Sequence, residues 1–437
     1  MQQQLTDEGN VNRTTGDASG SSMVAASDAG SATAVARRPR ILLVTDRTPG
    51  GDSGYGMRVD NVIVGLMEAG DLHVCLIDSS TGGASLPVNA GYETTTIRAE
   101  NPPRWRKLLL AATSLAQVPY RRQAHLRTAL AQRFGDEPWD VVWFSRIRTY
   151  SIFRGLVGGS HVVDFDDLND RLAKSLIADR TDLQGHLRAA PRNLLGHVEA
   201  RRWSKVQRRI AAEVCCVTVC SEADRSYLDL ANCVVVRNGY RTPHTARRLP
   251  DHEHPTLVFV GPLSYEPNRL AAEWLAFDVL PLVRRQLPAA RLVVVGYNDG
   301  VSARLRHAEG VTLTGYVHDL GAYYATASVA VAPLRSGGGT RLKVMEALAR
   351  SVPLVATSTG CFGLDLTHDQ ELLIADDAEG FAQACVSIIN DPALAGRLTE
   401  AGRARYVDRL TAEASSKAVA GVASSLAAVT DSVDERS

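Results

Sequence analysis

The chain has 437 residues, 45% of them hydrophobic, with 48 Lys+Arg against 48 Asp+Glu. That length suits two domains, each with its own core. A formal net charge of zero removes any global electrostatic case for nucleic acid as a partner. The 7 cysteines lack CxxC spacing, so they read as buried free thiols of a reducing cytosol, not as a disulfide framework or zinc site.

Residues 1–38 are rich in Gly, Ser, Ala, Thr and Asp and show no sustained apolar period. They are expected to form a disordered tail, without the basic start and apolar core of a signal peptide. No apolar run reaches the roughly 20 residues of a membrane span. A cytoplasmic protein is the expectation.

From Ile41 the pattern alternates short apolar runs with longer amphipathic ones. "ILLVT" is a continuous apolar run, as a parallel strand buried on both faces requires. A glycine-rich loop, "PGGDSGYGMR", and a helical stretch, "VDNVIVGLMEAG", follow it. "LHVCLID", "WDVVWFS", "HVVDFDD", "EVCCVTVC" and "CVVVRNG" continue as strands. The polar stretch "VVVRNGYRTPHTARRLPDHEHP" has no period and reads as a linker. The second half repeats the rhythm. "TLVFVG", "RLVVVGY", "VTLTGYV", "ASVAVAPL" and "VPLVATS" are strands, and "EPNRLAAEWLAFDVLPLVRRQLP" reads as one helix. The fold class is therefore α/β, with two doubly wound domains over residues 39–237 and 238–411.

The densest chemistry lies in "PLRSGGGTRLKVMEALA", Pro333 to Ala349. A strand delivers the chain to the carboxyl edge of the second sheet. Gly337, Gly338 and Gly339 allow close backbone approach to a ligand, and Thr340 suits an N-cap. The helix start offers unpaired N–H groups and the positive end of the dipole. Arg341 and Lys343 add full charges there, which is unfavourable unless an anion is present. Glu346, one turn past Leu342, is placed to accept ribose hydroxyls. A diphosphate-bearing nucleotide fits this set, whereas a plain glycine-rich turn with solvated cations is the bland alternative.

This motif, with "GYVHDL", "TSTGCFGLD", "VFVGPLSYEPNRLAAEWL" and "RNGY", resembles the donor half of the family 4 (group 1) retaining glycosyltransferases. The resemblance runs from about Arg40 to about Leu410 and implies the two-domain GT-B fold. It implies transfer of a sugar from a nucleoside diphosphate sugar to an acceptor hydroxyl with retained configuration. The acceptor is a small molecule, or a cell-surface or lipid-linked glycan. No metal and no cofactor beyond the donor are implied, because protein cations and helix dipoles carry the leaving diphosphate. In relatives the last helix crosses back to brace the first domain, here residues 412–430. Donor contacts carry over to Gly261, Asn268, Tyr316, Val317, Gly338, Gly339, Thr340, Arg341, Leu342, Lys343 and Glu346. Gly54, Tyr55 and Gly56 approach the donor from the first domain.

Two departures from the family pattern stand out. Many relatives carry two glutamates eight positions apart. Glu346 matches the second, and Gly338 stands where the first would be. Many also bring Arg and Lys from just after the first donor strand. Here that segment, "GPLSYEPN", has no cation, so Arg341 and Lys343 are the replacements and join the catalytic set. "VVDFDDLNDR" sits where relatives carry an active-site histidine. Asp166 falls nearest that position and is the candidate acceptor-side base, with Asp164 as the other carboxylate and a helix cap as the plain alternative. The basic stretches Arg104–Arg127 and His197–Ile210 read as solvated helix faces, as a peripheral membrane surface for a lipid-linked acceptor, or as a patch for an anionic acceptor. In the second, Val198, Trp203, Val206 and Ile210 are expected to form an apolar stripe. Two other functions stay open: a catalytically silent GT-B protein that binds a nucleotide or a partner, and a two-domain NAD-dependent oxidoreductase. The spacing of "TDRTPGGDSGYG" disfavours the oxidoreductase.

Overall fold

The computed structural model describes residues 37–50, 54–78, 91–99, 124–166, 168–171, 173–174, 186–243, 250–251, 253–337 and 341–434. Almost all of the expected tail lies outside these residues, as does most of the Arg104–Arg127 stretch.

The first sheet is built from β1 (Arg40–Thr45), β2 (Asp71–Asp78), β3 (Glu93–Arg98), β4 (Val141–Phe144), β5 (Ser160–Phe165), β6 (Cys216–Val219) and β7 (Cys233–Val235). Their order is β3-β2-β1-β4-β5-β6-β7, and every pairing is parallel. Alternation along β1 explains why its run is continuously apolar. Leu42 and Val44 enter one core layer with Phe134, Phe144 and Trp203, while Ile41 and Leu43 enter the opposite layer with Val59, Leu66 and Trp143. β3, "ETTTIR", was not anticipated from the sequence. It is an edge strand, mostly exposed, so its β-branched residues carry no apolar run to betray it.

Helices α1 (Gly54–Ala69), α2 (Ala124–Phe134), α3 (Ile147–Phe153), α4 (His186–Ala211) and α5 (Glu222–Leu228) cover this sheet. On α4, Trp203 and Ile210 are buried and Val206 is partly buried, but Val198 is 38% exposed. Of the expected apolar stripe, Val198 is thus the member left exposed, among the exposed Arg201, Arg202, Lys205 and Arg208. Six cysteines are buried; Cys215 is exposed, so burial as a common state of all seven does not hold.

The second sheet contains β8 (Thr256–Val260), β9 (Arg291–Val295), β10 (Val311–Leu313), β11 (Val329–Ala332), β12 (Leu354–Ala356) and β13 (Leu373–Ile374). Its order is β10-β9-β8-β11-β12-β13, again parallel throughout. The stretch read as one helix after β8 is α6 (Glu266–Trp274), a π-helical turn over Leu275–Val279, and α7 (Leu280–Gln286). Pro281 lacks the N–H a regular ladder needs, and the wider turn stands just before it. The remaining helices are α8 (Ala303–Arg306), α9 (Gly321–Thr326), α10 (Leu342–Ala349), α11 (Ala378–Asn390), α12 (Pro392–Arg409) and α13 (Ala412–Asp434).

The chain crosses between the sheets near Tyr240. Its N–H donates to Leu410 O at 2.9 Å, and its carbonyl accepts from Ala412 N at 3.2 Å and from the Tyr406 hydroxyl at 2.8 Å. From there α13 runs along α1. At Gly65 an added Cβ would lie 2.3 Å from Ser416 O and 2.7 Å from Val419 Cβ, so only glycine allows this approach. Ser416 Oγ donates to Asn61 O at 3.0 Å. Val419, Ala423 and Ala427 complete the core layer beneath β1 and α1. Among the described residues no helix is long and apolar enough to cross a membrane.

Strand order reverses between β1 and β4 in one sheet and between β8 and β11 in the other. In parallel sheets, ligands bind outside the carboxyl ends of the strands at such reversals.

Candidate active site

β11 carries the chain to the carboxyl edge of the second sheet, into buried Ser336 and then Gly337. Gly337 has φ 128°, a backbone region that L side chains avoid. Gly338, Gly339 and Thr340 lie outside the described residues. α10 begins at Leu342 with Arg341 as its N-cap, one residue beyond the start expected from Thr340. The Arg341 side chain is bound back to the loop. Its Nε donates to Thr359 O at 3.1 Å and Nη2 to Gly337 O at 2.9 Å, and the residue is buried.

Lys343 projects from the first turn of α10. Its Nζ donates to Asn268 Oδ1 at 2.6 Å and lies 4.3 Å from the centre of the Phe259 ring. Burial, and secondarily the charge of Arg341, hold its pKa well below the usual lysine range. Asn268 Nδ2 in turn donates to Pro262 O at 3.0 Å. At Gly261 an added Cβ would meet Asn268 Nδ2 at 2.7 Å, so the glycine lets the loop after β8 close on this amide.

Glu346 is buried one turn further along. Its Oε1 accepts from the Tyr240 hydroxyl at 2.6 Å and from Arg350 Nε at 3.3 Å. Burial, then the Glu346 charge, raise the Tyr240 hydroxyl far above its ordinary pKa. Beyond β9 and β10, the rings of Tyr297 and Tyr316 stack with centroids 4.8 Å apart and planes 19° apart. His318 sits edge-on to Tyr316 at 5.1 Å, and Val317 is partly buried against the second core.

The first domain meets this edge through the start of α1. A Cβ at Gly54 would lie 2.7 Å from Leu342 Cδ1, and Met57 packs into the second domain's core. The Tyr55 hydroxyl donates to Ser145 O at 3.0 Å, and the Arg146 guanidinium lies 3.5 Å from its ring centre. Gly56 is buried in the same turn.

Arg58, which sequence reasoning did not single out, ties these parts together. It is 1% exposed and grips Asp164 with both Nε (2.6 Å to Oδ2) and Nη2 (2.5 Å to Oδ1). Thr218 Oγ1 also donates to Asp164 Oδ1 at 2.9 Å. Arg58 Nη1 donates to Asn238 Oδ1 at 2.6 Å, and Asn238 Nδ2 donates to Asp166 Oδ1 at 3.0 Å. Asp166 keeps a side chain 15% exposed, against 2% for Asp164. The structure thus brings Asp164, Asp166, Arg58 and the interdomain Asn238 into one network. The signals for it were the arginine closing "GYGMR" and the asparagine of "RNGY", neither of which declares a partner in sequence. Among the described residues, no group of three or more His, Cys, Asp or Glu is placed to hold a metal ion.

Residues 254–391 match the family model described as "Glycosyl transferases group 1". The second domain is a group 1 glycosyltransferase domain. Gly261, Asn268, Tyr316, Val317, Arg341, Lys343 and Glu346 lie within the matched residues, while Gly54, Tyr55, Gly56 and Asp166 precede them. A phosphatidyl-myo-inositol mannosyltransferase from Propionibacterium freudenreichii is 31% identical over 150 residues, 33% of this chain and 37% of that protein. A glycogen synthase from Mycobacterium tuberculosis is 31% identical over 189 residues, 40% of this chain and 44% of that protein. The chain thus spans less than half the length of these curated relatives.

The fold around this glycosyltransferase domain matches solved structures along nearly the whole chain. Sucrose-phosphate synthase from Thermosynechococcus elongatus superposes with a TM-score of 0.67 at 18% identity, covering 90% of this chain and all of that one. HepE from Anabaena, solved in complex with UDP-glucose, gives 0.57 at 13% identity, covering 88% and 99%. The architecture is the GT-B fold of these enzymes.

Proposed function

We infer that the chain is a glycosyltransferase that moves a sugar from a nucleoside diphosphate sugar to an acceptor hydroxyl with retained configuration, without a metal ion. The observation that carries this reading is the convergence of Arg341, Lys343 and Glu346 at the switch point of the second sheet. Two cations and a helix N-terminus suit a diphosphate, and a buried carboxylate one turn on suits a ribose.

Each group has a role in this reading. Arg341 and Lys343 take up the charge that develops on the leaving diphosphate, in place of a divalent ion. Charge already in position needs no reorganisation as the glycosidic bond breaks. Tyr316, beside Tyr297, lies where the base stacks. Gly54 to Gly56 bring the first domain against the diphosphate. Asp166 is the acceptor-side carboxylate that receives or orients the acceptor's proton. Asp164, gripped through both oxygens by Arg58, instead holds the framework. The UDP-glucose complex of HepE supports a nucleotide-sugar donor.

A thermal-shift panel of nucleoside diphosphates and their sugars tests the reading. A donor raises the melting temperature by mass action, and mass spectrometry of the incubated donor detects transfer or hydrolysis. A panel in which no nucleotide binds overturns it.

A further inference from the structure

Among the described residues of the first domain, two buried side-chain oxygens have no hydrogen-bond partner: Asp46 Oδ1 and Ser145 Oγ. They stand one residue beyond β1 and β4, the adjacent strands at which the order of the first sheet reverses. Ser145 is 3% exposed, and the Asp46 side chain is 7% exposed. Both residues are held firmly otherwise. Ser145 N donates to Val44 O at 3.0 Å, and its carbonyl accepts from the Tyr55 hydroxyl at 3.0 Å. The second Asp46 oxygen, Oδ2, lies 3.5 Å from Arg148 Nη1. The Asp46 charge also acts on the Tyr55 hydroxyl, which burial chiefly holds above its ordinary pKa.

A buried polar group left without a partner costs about 1–3 kcal/mol, and native structures tolerate few of them. Two such atoms at neighbouring strand ends, on the edge where parallel sheets take ligands, are accounted for when a ligand supplies the partners. Their chemistry limits that ligand. A carboxylate oxygen only accepts, whereas a serine hydroxyl both donates and accepts. The matching molecule offers one hydroxyl to Asp46 and a second hydroxyl or ether oxygen to Ser145. The surroundings agree. None of the exposed large hydrophobic side chains falls within residues 45–50, 54–58 or 145–150. One face of the Tyr55 ring is covered by the Arg146 guanidinium 3.5 Å away, and the ring packs partly buried against the core layer of β1 and α1, which leaves little of it for a flat aromatic molecule.

Resting on the transferase reading, we propose that Asp46 and Ser145 bind the acceptor, and that the acceptor is polyhydroxylated: a sugar, a polyol or the end of a glycan, not an aromatic or alkyl alcohol. Ser145 orients one hydroxyl, and Asp46 accepts from its neighbour on the same molecule.

The test uses the full chain and the variants Ser145→Ala and Asp46→Asn. Three quantities are measured: the melting temperature of the ligand-free protein, the Kd for the nucleoside diphosphate that stabilises the wild type, and transfer to a mixed panel of monosaccharides, linear polyols and phenols, read by mass spectrometry. Wild-type transfer falls on the polyhydroxylated members. Ser145→Ala leaves the melting temperature unchanged or higher, because an unsatisfied hydroxyl has been removed, and leaves nucleotide Kd within about twofold. Its acceptor KM rises roughly tenfold, as expected for one lost hydrogen bond of about 1.4 kcal/mol. Asp46→Asn raises acceptor KM in the same direction. Transfer confined to phenols, an unchanged KM in both variants, or a lowered melting temperature in Ser145→Ala would each overturn the proposal. A wild-type protein that binds no nucleotide and hydrolyses no donor marks instead the failure of the transferase reading, and the proposal goes with it.

Discussion

Asn268 Oδ1 lies 2.6 Å from the amine of Lys343, joining the head of α6 to the first turn of α10. The partner is a neutral amide, not a carboxylate, so it brings no counter-charge to an ammonium at this position. Burial and the nearby Arg341 both work against that charge. In the proposed reading, the missing counter-charge arrives with the donor's diphosphate. Replacing Lys343 with Ala removes a charge-assisted bond worth about 1.5–3 kcal/mol, a loss of roughly tenfold to more than a hundredfold in nucleoside diphosphate affinity. Isothermal calorimetry reads this directly, and wild-type affinity in the variant would remove Lys343 from the phosphate site.

The same lysine sets a pH dependence. Its folded-state pKa is lowered, so in the empty protein the unfolded chain holds a proton that the folded one has released. Stability of the empty protein therefore rises with pH between that lowered pKa and the ordinary lysine value of about 10.4. A bound diphosphate reverses the preference and favours the ammonium. Between the lowered pKa of the empty protein and the higher pKa of the complex, binding then takes up a proton and affinity falls as pH rises. Calorimetry in buffers of different ionisation enthalpy measures the uptake, which Lys343→Met should abolish. Equal uptake in the variant would assign the proton to another group.

In the proposed reading, Glu346 separates ribose from phosphate recognition. With its carboxylate held by Tyr240 and Arg350, Glu346→Ala should weaken nucleoside and nucleoside diphosphate by the same factor. Arg341→Ala and Lys343→Ala should weaken only the phosphate-bearing ligand. Unchanged nucleoside binding in Glu346→Ala would exclude the ribose role.

The buried Arg58–Asp164 pair makes a stability prediction. Arg58→Ala leaves Asp164, 2% exposed, as an uncompensated carboxylate, at a cost of about 3–5 kcal/mol. Urea unfolding should show it, and the double variant Arg58→Met/Asp164→Leu should recover most of the loss. Asp166→Asn, by contrast, should lower turnover with little loss of stability. A large stability loss there would make Asp166 a structural member of the network.

What the sequence discloses follows from how local each signal is. Strands such as Ile41–Val44 and Val329–Ala332 are buried on both faces, and continuous apolar runs announce them. The edge strand Glu93–Arg98 stays hidden because it is mostly exposed. Arg341, Lys343 and Glu346 crowd into one motif and are legible together. Arg58 and Asp164 are far apart along the chain, so their pairing exists only once the sheet and α1 are packed. Asp46 and Ser145 are ordinary residues in sequence. Burial without a partner is a property of the folded edge alone.

One tight contact between the domains is Gly54 against Leu342. A methyl group at Gly54 would sit 2.7 Å from Leu342 Cδ1 and 3.2 Å from its Cγ, nearer than side-chain carbons approach. Gly54→Ala should therefore push the start of α1 away from the start of α10. Reacting groups must come within about 3–3.5 Å for transfer, and a displacement near 1 Å costs on the order of a hundredfold in rate. Turnover in Gly54→Ala should fall by about that factor, while nucleoside diphosphate affinity should fall less, because Arg341, Lys343 and Glu346 stand on the second domain. The obstacle is the end of a flexible side chain, so Leu342→Ala should make room for the added methyl. The double variant should regain most of the lost turnover, a coupling that a double-mutant cycle measures. If the two losses simply add, the contact does not set the approach of the domains.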